Sequence, residues 1–338
     1  MVGLVPEHYI HGRITEASQV ASELTTLVES LGDPTLLIGF VSTIPPSKFG
    51  TGEMREMLRY SQNAIDLAHG DPTKGNFIIG APLAIAFAMR GTARYALGDS
   101  RWREDFDRAV EMARGADSFS RAMVSLFAYA GAMEMGVALV DDAALRDIEE
   151  ALGITEQSGD DLVLGLVSLA LGIALMHRES PTDRERGMTV LGKVRDLCLN
   201  GRFYLSEVRA IDVYAAREAA RRGDRDDALP VLRATVDEVL RSGQFGHSDS
   251  GTAVLVETLL EGGDEAEVAE AEAAIERLAA VPAEEGLVIR EVWLLRLRAL
   301  LAQAIGDETH YREYRDSYRD MAKTLGFEGH IAWAEAMP

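Results

Sequence analysis

Apolar residues recur three or four positions apart along most of this chain. The run Trp102, Phe106, Ala109, Val110 and Ala113 is typical, because these residues fall on one face of a helix. The sustained alternation of β-branched residues that marks strands is absent from the sequence. The pattern therefore predicts an all-α protein built from amphipathic helices.

Short turns interrupt the helical pattern at regular intervals. Each turn carries a glycine that can end one helix, or an aspartate or proline that can begin the next. The markers are Gly98, Asp141, Pro181, Gly223, Gly263 and Gly306, and their spacings are 43, 40, 42, 40 and 43 residues. This regularity predicts a repeat of about 42 residues, each with two antiparallel helices.

The markers divide the chain into about seven helix pairs. The six regular pairs are 80–97 with 101–115, 118–139 with 142–156, 160–178 with 182–199, 206–222 with 225–242, 248–262 with 265–280, and 285–305 with 308–325. Less regular helices at 14–31, 34–44 and 53–69 add a further pair and a capping helix. We expect one helical-repeat domain over 1–338, with an irregular N-terminal cap (1–79), regular repeats (80–325) and a C-terminal tail (326–338).

A single helix pair cannot bury both of its apolar faces, so successive pairs must stack into a curved α-solenoid with one concave surface. The turns Ala-Leu-Gly-Asp (96–99) and Ala-Ile-Gly-Asp (304–307) resemble those of tetratricopeptide repeats (TPR). The period exceeds the usual 34 residues of that repeat. The predicted fold is therefore a TPR-like α-solenoid.

Charge and cysteine content narrow the function. The chain has 34 Lys and Arg against 55 Asp and Glu, a formal net charge of −21. This charge repels phosphate backbones and anionic lipids, so we expect no direct nucleic-acid partner and no membrane partner. The single Cys198 excludes an intramolecular disulfide and fits a reducing compartment, which predicts a cytoplasmic protein.

Three segments resemble fragments of chemical motifs but lack their spacing. Residues 70–75 lack the Ser or Thr that ends a phosphate-binding loop, and residues 246–251 misplace the second glycine of a hydrolase elbow. We interpret 246–251 as a solvated loop with a helix N-cap. His8 and His11 share a helical face without a third ligand at metalloprotease spacing. The sequence therefore predicts no catalytic residue, cofactor or metal.

The concave surface is the remaining candidate site. The first helix of each pair should line it, and several of these helices carry arginines beside aromatic residues. The candidate contacts are Arg90, Arg94, Tyr95, Arg209, Tyr214, Arg217, Arg290, Trp293 and Arg296. Such residues suit an anionic small ligand or an acidic peptide. The alternative is that the arginines form salt bridges between helices.

Three segments resemble a known family: GLVPEHYIHGRITEAS (3–18), IDLAHGDPTKGNFIIGAPLA (65–84) and LGFEGHIAWAEAMP (325–338). They are similar to the C-terminal TPR-like helical-repeat region of mycobacterial-type multidomain signalling proteins. In those proteins a class III adenylate cyclase domain precedes a STAND-like ATPase, and some relatives carry a LuxR-type DNA-binding domain.

The resemblance implies a regulatory role. On that basis we expect a non-catalytic interaction and sensor array, which binds a protein partner or upstream domains of a cyclase/ATPase-type signalling or transcription-regulating protein. The metal-binding aspartates, nucleotide-binding motifs and helix-turn-helix of those other domains are not found in this sequence. The alternative function is a stand-alone receptor that binds a small ligand or a peptide in the concave groove.

Overall fold

The computed structural model describes residues 2–77, 79–156 and 159–338, and it is an all-α, TPR-like α-solenoid. No strand occurs within these described residues. The predicted all-α class and the predicted TPR-like α-solenoid are both confirmed.

The first five helices form the irregular N-terminal part. They are α1 (Leu4–Ile10), α2 (Ile14–Leu31), α3 (Pro34–Gly39), α4 (Ile44–Thr51) and α5 (Met54–Ala68). The first two regular pairs comprise α6 (Pro82–Ala96) with α7 (Trp102–Ala113), and α8 (Ser118–Val124) with α10 (Asp142–Thr155). A π-helical segment (Ser125–Gly131) and the short α9 (Ala132–Glu134) continue α8.

Four further pairs complete the solenoid. They are α11 (Asp161–Met176) with α12 (Pro181–Leu199), α13 (Glu207–Arg221) with α14 (Arg225–Ser242), α15 (Ser248–Gly262) with α16 (Glu265–Ala279), and α17 (Val288–Ala304) with α18 (Glu308–Leu325). The tail forms α19 (Glu328–Ala336).

The turn residues have the structural roles that the sequence predicts. The side chains of Asp33, Asp141 and Asp264 accept hydrogen bonds from backbone N–H groups in the first turns of α3, α10 and α16. Gly243 follows the end of α14 with a φ of 68°, a left-handed conformation that favours glycine. These caps set the repeat boundaries.

Three helices were not predicted: α1, α4 and α19. Helix α14 has the predicted bounds and contains Pro230 in its interior. Leu229 beside it is buried, so packing of this face holds the helix in place.

The last helix pair packs back against the first regular pair, so the helices form a ring. The indole Nε1 of Trp102, at the start of α7, donates to the carbonyl of Leu325 at the end of α18 (3.4 Å). Between the fourth pair and the N-terminal part, the amide of Phe245 donates to the carbonyl of Gly50 (2.8 Å). The expected concave surface therefore lines the inside of a ring of helices.

Candidate ligand chamber

A cavity of about 460 Å³ lies inside the closed ring, and we call it the chamber. The elements around it are α1, the α3–α4 turn, the π-helical segment, α11 and the segments that precede α13 and α15. Side chains that give it an apolar character include Tyr9, Phe49, Phe127, Leu166, Ile173 and Tyr204. A volume of this size and an apolar lining with a few polar groups are typical of small-ligand sites.

Three charged side chains meet at one wall of the chamber. Nδ1 of His247 lies 2.8 Å from Oε1 of Glu134, and Nε2 lies 3.2 Å from Oε2 of Glu207. All three side chains are at least 85% buried. An ionised carboxylate only accepts hydrogen bonds, so the geometry fits an imidazole that carries a proton on both ring nitrogens.

The electrostatics of His247 agree with this geometry. Burial would lower its pKa, but Glu134 and Glu207 outweigh that effect and raise the pKa well above the ordinary value. We call Glu134, His247 and Glu207 the charged triad. With the imidazole protonated, the triad carries one net negative charge.

The π-helical segment positions the triad. It interrupts the helix that runs from Ser118 to Glu134, and Leu126, Phe127 and Gly131 within it line the chamber. The extra residue in each π turn shifts the following side chains around the helix axis. Glu134, three residues beyond the segment, thereby faces the chamber and also accepts a hydrogen bond from Ser250 Oγ (3.0 Å).

A second, much smaller cavity of about 30 Å³ adjoins the chamber behind Glu134 and His247. We call it the arginine pocket, after Arg217 and Arg296, which line it together with Glu257. Arg296 lies 2.5 Å and Arg217 lies 3.7 Å from the Glu257 carboxylate. The two arginines are thus ion-paired with a carboxylate of the same chain.

The arginine pocket also holds a neutral histidine. Nε2 of His177 lies 3.0 Å from the hydroxyl of Tyr214. Burial and the nearby Arg217 and Arg221 lower the pKa of His177 to about 3. Four of the predicted groove residues line this pocket: Tyr214, Arg217, Trp293 and Arg296.

The other predicted contacts lie outside both cavities. Arg90 and Arg94 both bind the buried carboxylate of Asp105, at 2.5 and 2.7 Å, and Tyr95 is fully buried beside them. Arg209 lies 4.0 Å from Glu238. Their surroundings match the alternative of salt bridges between helices.

Arg290 is the most deeply buried of the predicted arginines, and its side chain is 6% exposed. Its Nε donates to Oδ1 of Asp249 at 2.8 Å, and a second nitrogen donates to Ser248 Oγ at 2.9 Å. Asp249 is fully buried. The interpretation of 246–251 as a solvated loop is therefore wrong, because this segment lies between the chamber and the core.

The sequence prediction missed the charged triad. One signal was present: Glu134 is the only charged residue in the apolar stretch 122–140. A lone carboxylate in a buried helix requires a partner. That partner, His247, lies 113 residues away, and local pattern does not reveal such a distance.

Other chemistry is not assembled within the described residues. They contain no group of three His, Cys, Asp or Glu side chains that could hold a metal ion. Burial raises the pKa of the Cys198 thiol to about 12, so this cysteine is a poor nucleophile. Over residues 2–77, 79–156 and 159–338, no helix is long and apolar enough to cross a bilayer.

Comparison with known proteins supports the fold. No protein-family profile matches the chain, and no curated protein sequence matches it. Among solved structures, it is similar to a Rap protein complexed with Competence and Sporulation Factor, with a TM-score of 0.59 and 11% sequence identity. The match covers 99% of this chain and 95% of the Rap chain. The chain thus has a TPR-like repeat fold.

Proposed function

We propose that this protein is a non-catalytic regulatory receptor that binds a ligand in the chamber. The observation that carries the proposal is the apolar cavity of about 460 Å³ inside the ring, with the charged triad in its wall. Ligand binding would act on a protein partner or on further domains of the same polypeptide by favouring one arrangement of the ring.

The Rap structure supports a binding role for this fold, because that protein is complexed with Competence and Sporulation Factor. A small ligand or a peptide fits the chamber better than a folded partner, since the ring closes around it. The anionic small ligand or acidic peptide that the arginines suggested is not favoured at the arginine pocket, because this pocket has a volume of about 30 Å³ and Glu257 already pairs with Arg217 and Arg296.

The wider context is also part of the proposal. The three segments that resemble cyclase/ATPase-type signalling proteins support a place in such a protein, in the cytoplasm. Co-precipitation of this chain with an ATPase domain of that type would test the assignment, and failure of the two to associate would count against it.

A neutral apolar dye, N-phenyl-1-naphthylamine, tests the receptor function. We expect saturable binding of one dye molecule per chain, seen as increased fluorescence. The double variant Leu126→Trp/Leu162→Trp places two large rings in the chamber, since both leucines line it and are only partly buried. Binding should weaken at least tenfold in this variant.

The matched control is Leu31→Trp/Leu199→Trp, which adds the same two rings at leucines that are 60% and 55% exposed. This control should bind the dye like the unmodified protein. Absence of dye binding, or equal binding by both folded double variants, would refute the receptor function.

A further inference from the structure

The chamber has an excess of negative charge. Its lining includes four carboxylates, those of Asp117, Glu134, Asp160 and Glu207, and His247 is the only basic side chain among the described lining residues. Among the described lining residues there is neither a lysine nor an arginine. The chamber is therefore an apolar cavity whose polar groups are predominantly acidic.

The four carboxylates differ in their hydrogen-bond partners. Asp117 and Asp160 are exposed, and both accept hydrogen bonds from backbone N–H groups at helix starts. These two aspartates have a structural role as N-caps. Glu134 and Glu207 instead hold His247 and are largely buried.

The triad leaves acceptor capacity at Glu134. Its Oε1 accepts from both His247 and Ser250, whereas its Oε2 accepts no hydrogen bond from the described residues. In Glu207, Oε2 faces His247 and Oε1 accepts from Ser206 at 3.1 Å. A buried carboxylate with an unused oxygen favours the arrival of a donor, above all a cationic one.

Neighbouring cations do not neutralise this charge from the chamber side. Arg217 and Arg296 line the arginine pocket behind the triad, and both pair with Glu257. Within the described residues that line the chamber, His247 is thus the only cation facing Glu134 and Glu207.

The rest of the lining suits a hydrocarbon body. The rings of Tyr9 and Tyr204 lie 5.5 Å apart, and Phe49 packs edge-on against Phe127 at 5.6 Å. Aromatic faces attract alkylammonium groups as well as apolar surface. The shape and chemistry together select a molecule with one cationic end and an apolar remainder.

We propose that the chamber binds an apolar amine, with its ammonium group at Glu134 and Glu207 and its hydrocarbon body among the aromatic side chains. The inference rests on the receptor function proposed above and specifies the class of ligand. It differs from the anionic ligand that the arginines suggest, because the larger cavity is the acidic one.

Three probes of equal chain length test the proposal: decylamine, decanol and decanoate, each below its micelle concentration and titrated calorimetrically at pH 7. We expect decylamine to bind at least tenfold more tightly than decanol, and decanoate to bind most weakly. Equal affinity of decylamine and decanol, or tightest binding of decanoate, would overturn the proposal while leaving the receptor function intact. Absence of binding by all three probes and by the neutral dye would refute the receptor function itself.

The variant Glu134→Gln/Glu207→Gln removes both carboxylates and should abolish the preference for decylamine over decanol. Its matched control is Glu111→Gln/Glu276→Gln, which changes the net charge equally at side chains that are 68% and 65% exposed. The control should keep the full preference. A preference that survives in the folded triad variant would contradict the proposal, and the probe series on the unmodified protein decides the matter if that variant does not fold.

Discussion

His247 and His177 lie on neighbouring walls of the inner surface and differ in charge: His247 is cationic and His177 is neutral. His247 lies between Glu134 and Glu207, which raise its pKa despite burial. His177 is buried near Arg217 and Arg221, and its pKa falls to about 3. Burial acts in the same direction on both, so the neighbouring charges decide the outcome.

The two histidines show how positive and negative side chains are arranged on the inner surface of a protein with a net charge of −21. The sequence suggested that arginines on the inner helices bind an anionic ligand. In the structure, the predicted arginines bind carboxylates of the same chain, and the larger cavity is lined by acids. Local pairing therefore determines the character of the inner surface more than the count of arginines does.

The variant Arg290→Ala tests whether the buried arginines stabilise the fold, and it should have the largest effect. This change leaves Asp249 charged and fully buried without its partner, which should lower the free energy of unfolding by about 3–5 kcal/mol. Urea unfolding followed by circular dichroism measures the loss.

The control is Arg312→Ala, which removes an exposed arginine paired with the exposed Glu308. Its effect should stay below about 1 kcal/mol. If Arg290→Ala costs as little as the control, Arg290 is not a structural residue, and a role in ligand contact becomes the better interpretation.

The tail covers the arginine pocket, and Gly136→Ala should dislodge it. Gly136 has a φ of 66°, and an added Cβ would lie 2.6 Å from Trp333 and 2.9 Å from His330. The strain of the left-handed conformation is about 1–2 kcal/mol, and the clash should add about 1–3 kcal/mol.

Gly306→Ala is the matched control, because Gly306 has a φ of 74° and its Cβ would meet no atom within 4 Å. The control carries the strain without the clash. In Gly136→Ala, but not in Gly306→Ala, the fluorescence of Trp333 should shift to longer wavelength. Equal losses of stability would show that the tail does not depend on this contact.

Local features of the sequence predicted most of the fold. The glycine and aspartate turns located most helices from α6 to α18 to within a few residues, because caps act over one helical turn. The exception is the predicted helix 118–139, which ends at Glu134 and is divided by the π-helical segment. Helix α4 was missed since it begins with Ile44, Pro45 and Pro46, a start that lacks a capping side chain. Helix α19 was missed because it is stabilised by distant contacts, such as the amide of His330 with the carbonyl of Gly136.

The site was much harder to predict. The predicted arginines lie on the first helices of their pairs, but their partners come from other helices, as Asp249 does for Arg290. The chamber exists because the ring closes, and closure depends on contacts such as Phe245 with Gly50, nearly 200 residues apart. Helical periodicity carries no information about such contacts.

The variant His247→Gln tests whether His247 is cationic between Glu134 and Glu207. The pKa of His247 in the folded state lies above its unfolded value of about 6.5, so its contribution to stability is complete below that pH. The contribution disappears as the pH rises through the folded pKa. We expect a loss of about 1.5–3 kcal/mol at pH 6, which shrinks in alkaline solution.

As a control, His310→Gln alters an exposed histidine that pairs with Asp307, and its effect on stability should be much smaller than that of His247→Gln. A loss for His247→Gln that is constant from pH 6 to pH 10 would contradict the cationic state. Arg217 and Arg296 face His247 across the arginine pocket, but their pairing with Glu257 leaves the two carboxylates dominant.

His177→Phe should give the smallest effect and the opposite pH dependence. The folded pKa of about 3 lies below the unfolded value, so the unmodified protein loses stability as the pH falls from about 6.5. The slope from this one group is about 1.4 kcal/mol per pH unit.

At pH 7 the variant should be about 1 kcal/mol less stable, because Tyr214 loses its hydrogen bond. At pH 5 the variant should be the more stable protein, since phenylalanine has no proton to gain. The sign of the stability difference therefore reverses between the two pH values in urea unfolding. If His177→Phe and His247→Gln instead show pH slopes of the same sign, the two walls do not differ in charge as the structure indicates.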